Sequence, residues 1–188
     1  DNIIKHARIF INAHKQKNII TCAKHFPGLG SASGDTHEGI ADITNSWTVK
    51  DLQPFHTLIQ ENELDSVMVS HAFDKKLDPN YPSSLSQNII TTMLRDDLGF
   101  EGVIICDDPS MRAISDHYNL EETFKLMLDA GVDLFCLGNN LIYDPDYIPI
   151  AISAVCNLIS SGKIKKARIE QSIDKIELLK SNYGIGKK

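Results

Sequence analysis

Apart from one short run, lysine and arginine do not cluster in this chain, and its formal net charge is -6. Nucleic acid and anionic membrane surfaces both demand a concentrated basic footprint, so neither is expected as a partner. The one basic run, Lys163 to Arg168, reads as a solvated helix start. Long hydrophobic runs are missing too. The apolar stretches are strand-length, well short of the roughly 18 residues of a membrane helix. No basic-then-apolar leader precedes them. The first residue is Asp1 and not Met, which leaves any upstream segment open, and the expected location is cytoplasmic. The 4 cysteines, Cys22, Cys106, Cys136 and Cys156, show no CxxC spacing. The first three sit in apolar strand-like runs, where cysteine behaves as a small hydrophobe, so neither a disulfide framework nor a zinc cluster is expected. No GxGxxG or GxxxxGK[ST] follows the first apolar run, which removes the phosphate-cradling readings. No cofactor and no metal are expected.

What is present is ordinary globular composition, 42% hydrophobic and 23% charged over 188 residues, enough for one well-cored domain. From Asn2 to Lys15 apolar residues recur at helical spacing. Residues 18–23 (NIITCA) read as a buried strand. The punctuated stretch Lys24-His25-Phe26-Pro27-Gly28, followed by Gly34-Asp35-Thr36-His37, reads as a loop leaving that strand. Thr48, with Asp51 three residues on, predicts a helix N-terminus. Ser66 to Val69 is a second strand, and a helix from Ser86 stops near Gly99. Gly102 to Cys106 is a third strand, Leu120 to Ala130 a helix, and Val132 to Leu137 a fourth strand. Two helices, roughly Tyr147 to Ser160 and Ala167 to Tyr183, close the chain. Short, continuously apolar strands alternating with helices imply a parallel sheet. Periodicity leaves two architectures open, a doubly wound sheet or part of a (β/α)8 barrel.

Polar residues collect at the strand ends: Lys24, His25, Asp35 and His37, then His71, then Asp107 and Asp108, then Asn139 and Asn140. Converging on one face they would supply a base, a cation and carboxylates. Each also has a structural reading. His71 can be a packed, hydrogen-bonded core residue, Asp107 and Asp108 can cap the helix after Pro109, and Asp35 can form an Asx turn. Met111 and Phe26 can simply pack.

In order along the chain, Lys-His-Phe-Pro-Gly at residues 24–28, Asp35-Thr36-His37, Met68-Val69-Ser70-His71 and the run from Leu94 to Met111 (LRDDLGFEGVIICDDPSM) resemble glycoside hydrolase family 3. The similarity is greatest to its β-N-acetylhexosaminidase branch and runs from about Phe10 to Tyr183. It implies an α/β (β/α)8 TIM-barrel fold, of which 1–188 would be the C-terminal half, about four strand-helix units, with the N-terminal half absent. It implies a retaining β-N-acetylhexosaminidase acting on peptidoglycan-type or chitooligosaccharide substrates through a glycosyl-aspartate intermediate. Asp107 would be the nucleophile and Asp108 its support. His37 would be the general acid/base with Asp35 as its partner, and Lys24, His25, His71 and Met111 would meet the sugar. A histidine suits the proton role because its pKa lies near neutrality, and a carboxylate two residues away fixes its tautomer.

The chain departs from the family pattern in places. It reads Pro27-Gly28-Leu29-Gly30-Ser31 where the family loop usually has a histidine after the glycine, and Pro109 stands where an apolar residue is usual. Four strands leave two unpaired edges, so self-association through them is expected unless something covers them. Three other functions compete: a β-glucosidase of the same family, an inactive truncated fragment, and a metal-dependent barrel hydrolase using His25, His37, His71 and Asp107.

Overall fold

The computed structural model describes residues 2–30, 32, 39–139 and 143–186. Four strands, β1 (Cys22–Phe26), β2 (Ser66–Val69), β3 (Val103–Cys106) and β4 (Leu134–Phe135), form one sheet in the order β1-β2-β3-β4, and every pair is parallel. A doubly wound sheet reverses its strand order at a switch point. This order never reverses, so the sheet follows the barrel pattern.

Helices precede, connect and follow these strands, and a layer of them covers one face of the sheet. They are α1 (Asn2–Lys15), α2 (Val49–Gln60), α3 (Asn88–Asp97, wound as a π-helix), the single turn α4 (Arg112–Ser115), α5 (Leu120–Ala130), α6 (Tyr147–Ser160) and α7 (Lys166–Asn182). Strand alternation sends Phe26, Val67, Val69, Ile104 and Cys106 to the helix side. There they are buried with Phe55 and Ile59 of α2, Ile89, Ile90 and Leu94 of α3 and Met127 of α5. Each fully buried aliphatic or aromatic side chain of this set contributes roughly 1.5–3 kcal/mol relative to exposure.

Local signals set the helix ends. Asp51 Oδ2 accepts from the Thr48 backbone N–H at 2.8 Å and from its hydroxyl at 3.0 Å, holding the start of α2. The Asn119 side chain accepts from Glu122 N–H to cap α5, which stops at Gly131 with φ 111°. That left-handed value is open to glycine and costly for a residue with a Cβ.

The last helix fastens the N-terminal end of the sheet. Asp65, Glu101 and Asp133 stand just before β2, β3 and β4. α7 or the residue after it reaches all three: Tyr183 Oη donates to Asp65, Lys175 to the Glu101 carbonyl, and Ser172 Oγ to Asp133. The Asp133 side chain is 2% exposed and also accepts from Arg95 at 2.6 Å and from Ile104 N–H. Much of the chain-wide sequence pattern is therefore structural: Arg95, Asp133 and Ser172 hold the end of the sheet opposite the candidate site.

Two strands differ from expectation. β1 begins at Cys22, not at Asn18, so Lys24, His25 and Phe26 belong to the strand and not to the loop after it. Ile19 is 50% exposed, whereas Phe26 is fully buried against the helix layer, which is what draws the chain into the sheet there. β4 is only two residues long.

Candidate active site

At the C-terminal ends of the strands, β1 carries an irregularity that aims its polar residues. Lys24 pairs with Met68 and Phe26 with Val69, so His25 is an extra residue in the ladder. Bulges of this kind redirect a side chain. Simple alternation would send Lys24 and His25 to opposite faces. Instead Lys24 shares the inner row with Met68 and Ile105, while His25 turns to the mouth of the sheet, where its Nε2 lies 3.6 Å from Asp107 Oδ2.

The turn after β1 is fixed by contacts from α2 and the segment before it. Gly28 N–H donates to the His25 carbonyl, and the Trp47 indole N–H donates to the Pro27 carbonyl at 3.1 Å. A Cβ on Gly28 would lie 2.6 Å from the Asp51 carbonyl oxygen, and its φ is 117°, so glycine is required on both counts.

Asp107 and Asp108 divide into two environments. Asp107 leaves β3 with its N–H on the Val69 carbonyl. Its Oδ1 accepts from Asp108 N–H, and its side chain keeps 19% exposure beside His25. Asp108 is 7% exposed, with both carboxylate oxygens committed: Oδ1 accepts from Ser110 N–H and Oδ2 from Gly138 N–H. It thereby joins the end of β3 to the end of β4. One carboxylate stands at the open mouth, and its neighbour holds the turn behind it.

His71 lies beneath that turn. Its ring is fully buried, Nε2 sits 2.9 Å from the Asp108 carbonyl and Nδ1 sits 2.7 Å from Ser84 Oγ. A carbonyl only accepts, so Nε2 carries the proton and Nδ1 accepts from the Ser84 hydroxyl. Burial pushes the pKa of His71 down, against the smaller opposing pull of the Asp108 carbonyl and the carboxylates of Asp107 and Asp108. Both ring nitrogens are thus engaged within the protein. Met111 is 3% exposed at the start of α4.

Asp35 and His37 lie outside the described residues, and so does Asn140. His25 and Asp107 are brought together with Asp108 beside them; Lys24 stands in the inner row of β1, and Asn139 exchanges hydrogen bonds with Asp144. Sequence reasoning missed three anchors of the site, Ser84, Trp47 and the Gly138 N–H. Each acts on a backbone group or a buried ring, and no residue pattern announces such a contact. Among the described residues no group of three or more His, Cys, Asp and Glu is placed to hold a metal ion. Of the ligands that the metal-hydrolase reading named, His71 has both nitrogens engaged and His37 lies outside the described residues. No helix among the described residues is long and apolar enough to cross a membrane.

Comparison with known proteins follows the same lines. The model of the family described as glycosyl hydrolase family 3 N terminal domain matches residues 2–179. A β-hexosaminidase of Shewanella frigidimarina is 35% identical over 145 residues, 76% of this chain and 42% of that protein. This chain thus spans less than half the length of that relative. Among solved structures, a glycoside hydrolase family 3 β-N-acetylglucosaminidase from Paenibacillus sp. aligns with TM-score 0.86 at 27% identity, covering 95% of this chain and 34% of that one. The β-N-acetylglucosaminidase from Thermotoga maritima aligns with TM-score 0.82 at 28% identity, covering 98% and 39%.

Proposed function

Because the chain belongs to glycosyl hydrolase family 3, we propose that it carries the nucleophile side of a retaining β-N-acetylhexosaminidase, acting on terminal β-linked N-acetylglucosamine. Residues 1–188 are read as the C-terminal half of the catalytic barrel. In this reading the Asp107 carboxylate attacks the anomeric carbon and the bond to the leaving oxygen breaks. His37, held by Asp35, gives that oxygen its proton. Water then adds to the anomeric carbon with His37 as base and releases Asp107. Lys24 and His25 hold sugar hydroxyls, and Asp108 and His71 keep Asp107 in place.

The observation that carries this reading is the pairing of His25 with Asp107 at the open mouth, while Asp108 beside it is wholly used in hydrogen bonds. Of the two acids Asp107 is the one at the open mouth, with Oδ2 turned to His25 where both Asp108 oxygens accept from backbone N–H groups. A retaining enzyme forms an ester, so the test is to trap it. A slow-reacting activated N-acetyl-β-glucosaminide should add one hexosaminyl unit to the protein at Asp107, located by peptide mass spectrometry. Hydrolysis of an aryl N-acetyl-β-glucosaminide that survives Asp107→Ala would overturn the assignment.

A further inference from the structure

Beside the turn that holds Asp108 lies a pocket of about 410 Å³. Its walls come from Pro109 and Ser110 after β3, from Tyr118 and Leu120 at the start of α5, and from Asn139 and Tyr147 on either side of the approach to α6. His25 and Asp107 do not line it, so it is separate from the mouth described above. The size falls within the roughly 300–1,000 Å³ of small-molecule sites and far exceeds the share of one water, about 30 Å³.

Most polar side chains of the wall are satisfied within the protein. Ser115 Oγ donates to the Ser110 carbonyl, Thr123 Oγ1 donates to the Asn119 carbonyl, and the Asn119 side chain caps α5. Asn139 exchanges hydrogen bonds with the Asp144 backbone. Two groups differ. Ser110 Oγ and Tyr147 Oη are buried without a hydrogen-bond partner among the described residues. Buried polar groups are paired as a rule, so two orphans on one wall call for an explanation. Burial, with Asp108 adding to it, pushes the Tyr147 phenol up to about 12, so it is a neutral hydroxyl at physiological pH. A hydroxyl both donates and accepts, and a serine side chain has three staggered positions. An occupant that draws these two oxygens out gains two hydrogen bonds and breaks none.

The remaining wall limits what that occupant can be. Asp144 is the one charged residue among the described residues lining the pocket, so no cation there compensates an anion. No group of three or more His, Cys, Asp and Glu among the described residues is placed to hold a metal ion. Pro109, Leu120 and the rings of Tyr118 and Tyr147 supply apolar surface. Apolar surface with a few hydroxyls suits a neutral pyranose, whose ring carbons present a C–H face and whose rim carries hydroxyls.

We propose that this pocket binds a neutral pyranose through Ser110 Oγ and Tyr147 Oη, at a site separate from the mouth that holds Asp107. The inference goes beyond the glycosidase reading and does not depend on it. Because Ser110 N–H donates to Asp108 Oδ1, the bound ring touches a residue that fixes the turn behind Asp107.

The full chain, with 3-fluorotyrosine at its 5 tyrosines, is titrated with methyl β-glucopyranoside and followed by fluorine NMR, the signals being assigned from single Tyr→Phe variants. The expected result is saturable shifts at Tyr118 and Tyr147, with Tyr183, which bonds to Asp65 at the opposite end of the sheet, unmoved. Ser110→Ala and Tyr147→Phe each remove a hydroxyl that has no partner in the free chain, so the thermal melt should hold. The affinity read at Tyr118 should fall about fivefold in each, the scale of one hydrogen bond. Methyl β-glucuronide, the same ring with a carboxylate, should bind more weakly. Asp107→Ala should leave the shifts in place, which separates a failure of the glycosidase reading from a failure of this one. Shifts lost with Asp107→Ala would put the sugar at the mouth and overturn the proposal. Unmoved Tyr118 and Tyr147 signals would overturn it too, as would full affinity in both hydroxyl variants, or equal or tighter binding of the glucuronide or of phenol.

Discussion

His25 Nε2 and Asp107 Oδ2 approach to 3.6 Å although β2 lies between the strands that carry them. Two strand spacings separate β1 from β3, about 10 Å. The extra residue in β1 and the turn at Asp107 bring the side chains across the end of β2. Shortening either reach should uncouple them. His25→Ala is expected to lower kcat/KM for an aryl N-acetyl-β-glucosaminide by about 10²-fold or more, the scale of a lost positioning contact. The folding transition should hardly move, because the His25 side chain is 27% exposed. Steady-state kinetics beside a thermal melt separates the two effects.

Arg95 and Asp133 form the buried pair at the opposite end of the sheet, at 16% and 2% side-chain exposure. Removing one partner leaves a buried charge without its main compensation. Arg95→Ala is expected to cost about 3–5 kcal/mol, and Asp133→Asn in the same chain should recover part of that loss. Urea denaturation of the two single variants and the double variant measures the coupling. Equal losses in the Arg95→Ala chain and the double variant would contradict it.

His71 provides a pH signature. Its folded pKa is pushed below the ordinary value by burial. The unfolded chain therefore binds more protons than the folded one as pH falls through about 6.5, and stability rises with pH wherever the unfolded state binds more protons. His71 thus contributes a loss of stability on acidification from about pH 7 toward pH 5. His71→Gln should flatten that part of the curve and lower the plateau by about 1–3 kcal/mol, since the Asp108 carbonyl and Ser84 lose their fitted partner. Melting temperatures across the range read both effects.

Gly28 is the narrowest point of the site's support. With φ at 117° and a Cβ position 2.6 Å from the Asp51 carbonyl oxygen, Gly28→Ala must displace the start of α2 or the β1 turn. A cost of about 1–3 kcal/mol is expected, accompanied by weaker hydrogen-exchange protection at the Trp47 indole, which donates to Pro27. Gly39→Ala, where an added Cβ meets nothing within 4 Å, is the contrasting substitution.

The strands that read most clearly in the sequence, SVMV and GVIIC, lie in the middle of the sheet, where both neighbours and the helix layer demand apolar residues. β2 spans Ser66–Val69 as expected, and β3 spans Val103–Cys106 within the expected stretch. The edge strands read poorly. In β1 the polar pair Lys24-His25 looks like a loop because pattern reading treats polar residues as leaving the sheet, yet the inner row at the mouth accepts them. In β4 the apolar run VDLFCL continues past the two residues that pair. The acids Asp107 and Asp108 are adjacent and alike in sequence. What separates them is the set of backbone donors that folding delivers to Asp108 alone, from Ser110 and Gly138. His71 is opaque for the same reason, since its partners Ser84 and the Asp108 carbonyl arrive from other loops.

With α1 before β1, and α6 and α7 after β4, the chain has a helix outside each edge strand, which bears on how a gene for such a chain can be copied. A direct tandem duplication would run α6, then α7 across the end of the sheet, then α1 between two strands, so that α6 and α1 compete for a place with room for one helix. A symmetric barrel built from this unit would have to delete one of them. Repetition of this unit is thus limited by its helices and not by its strands.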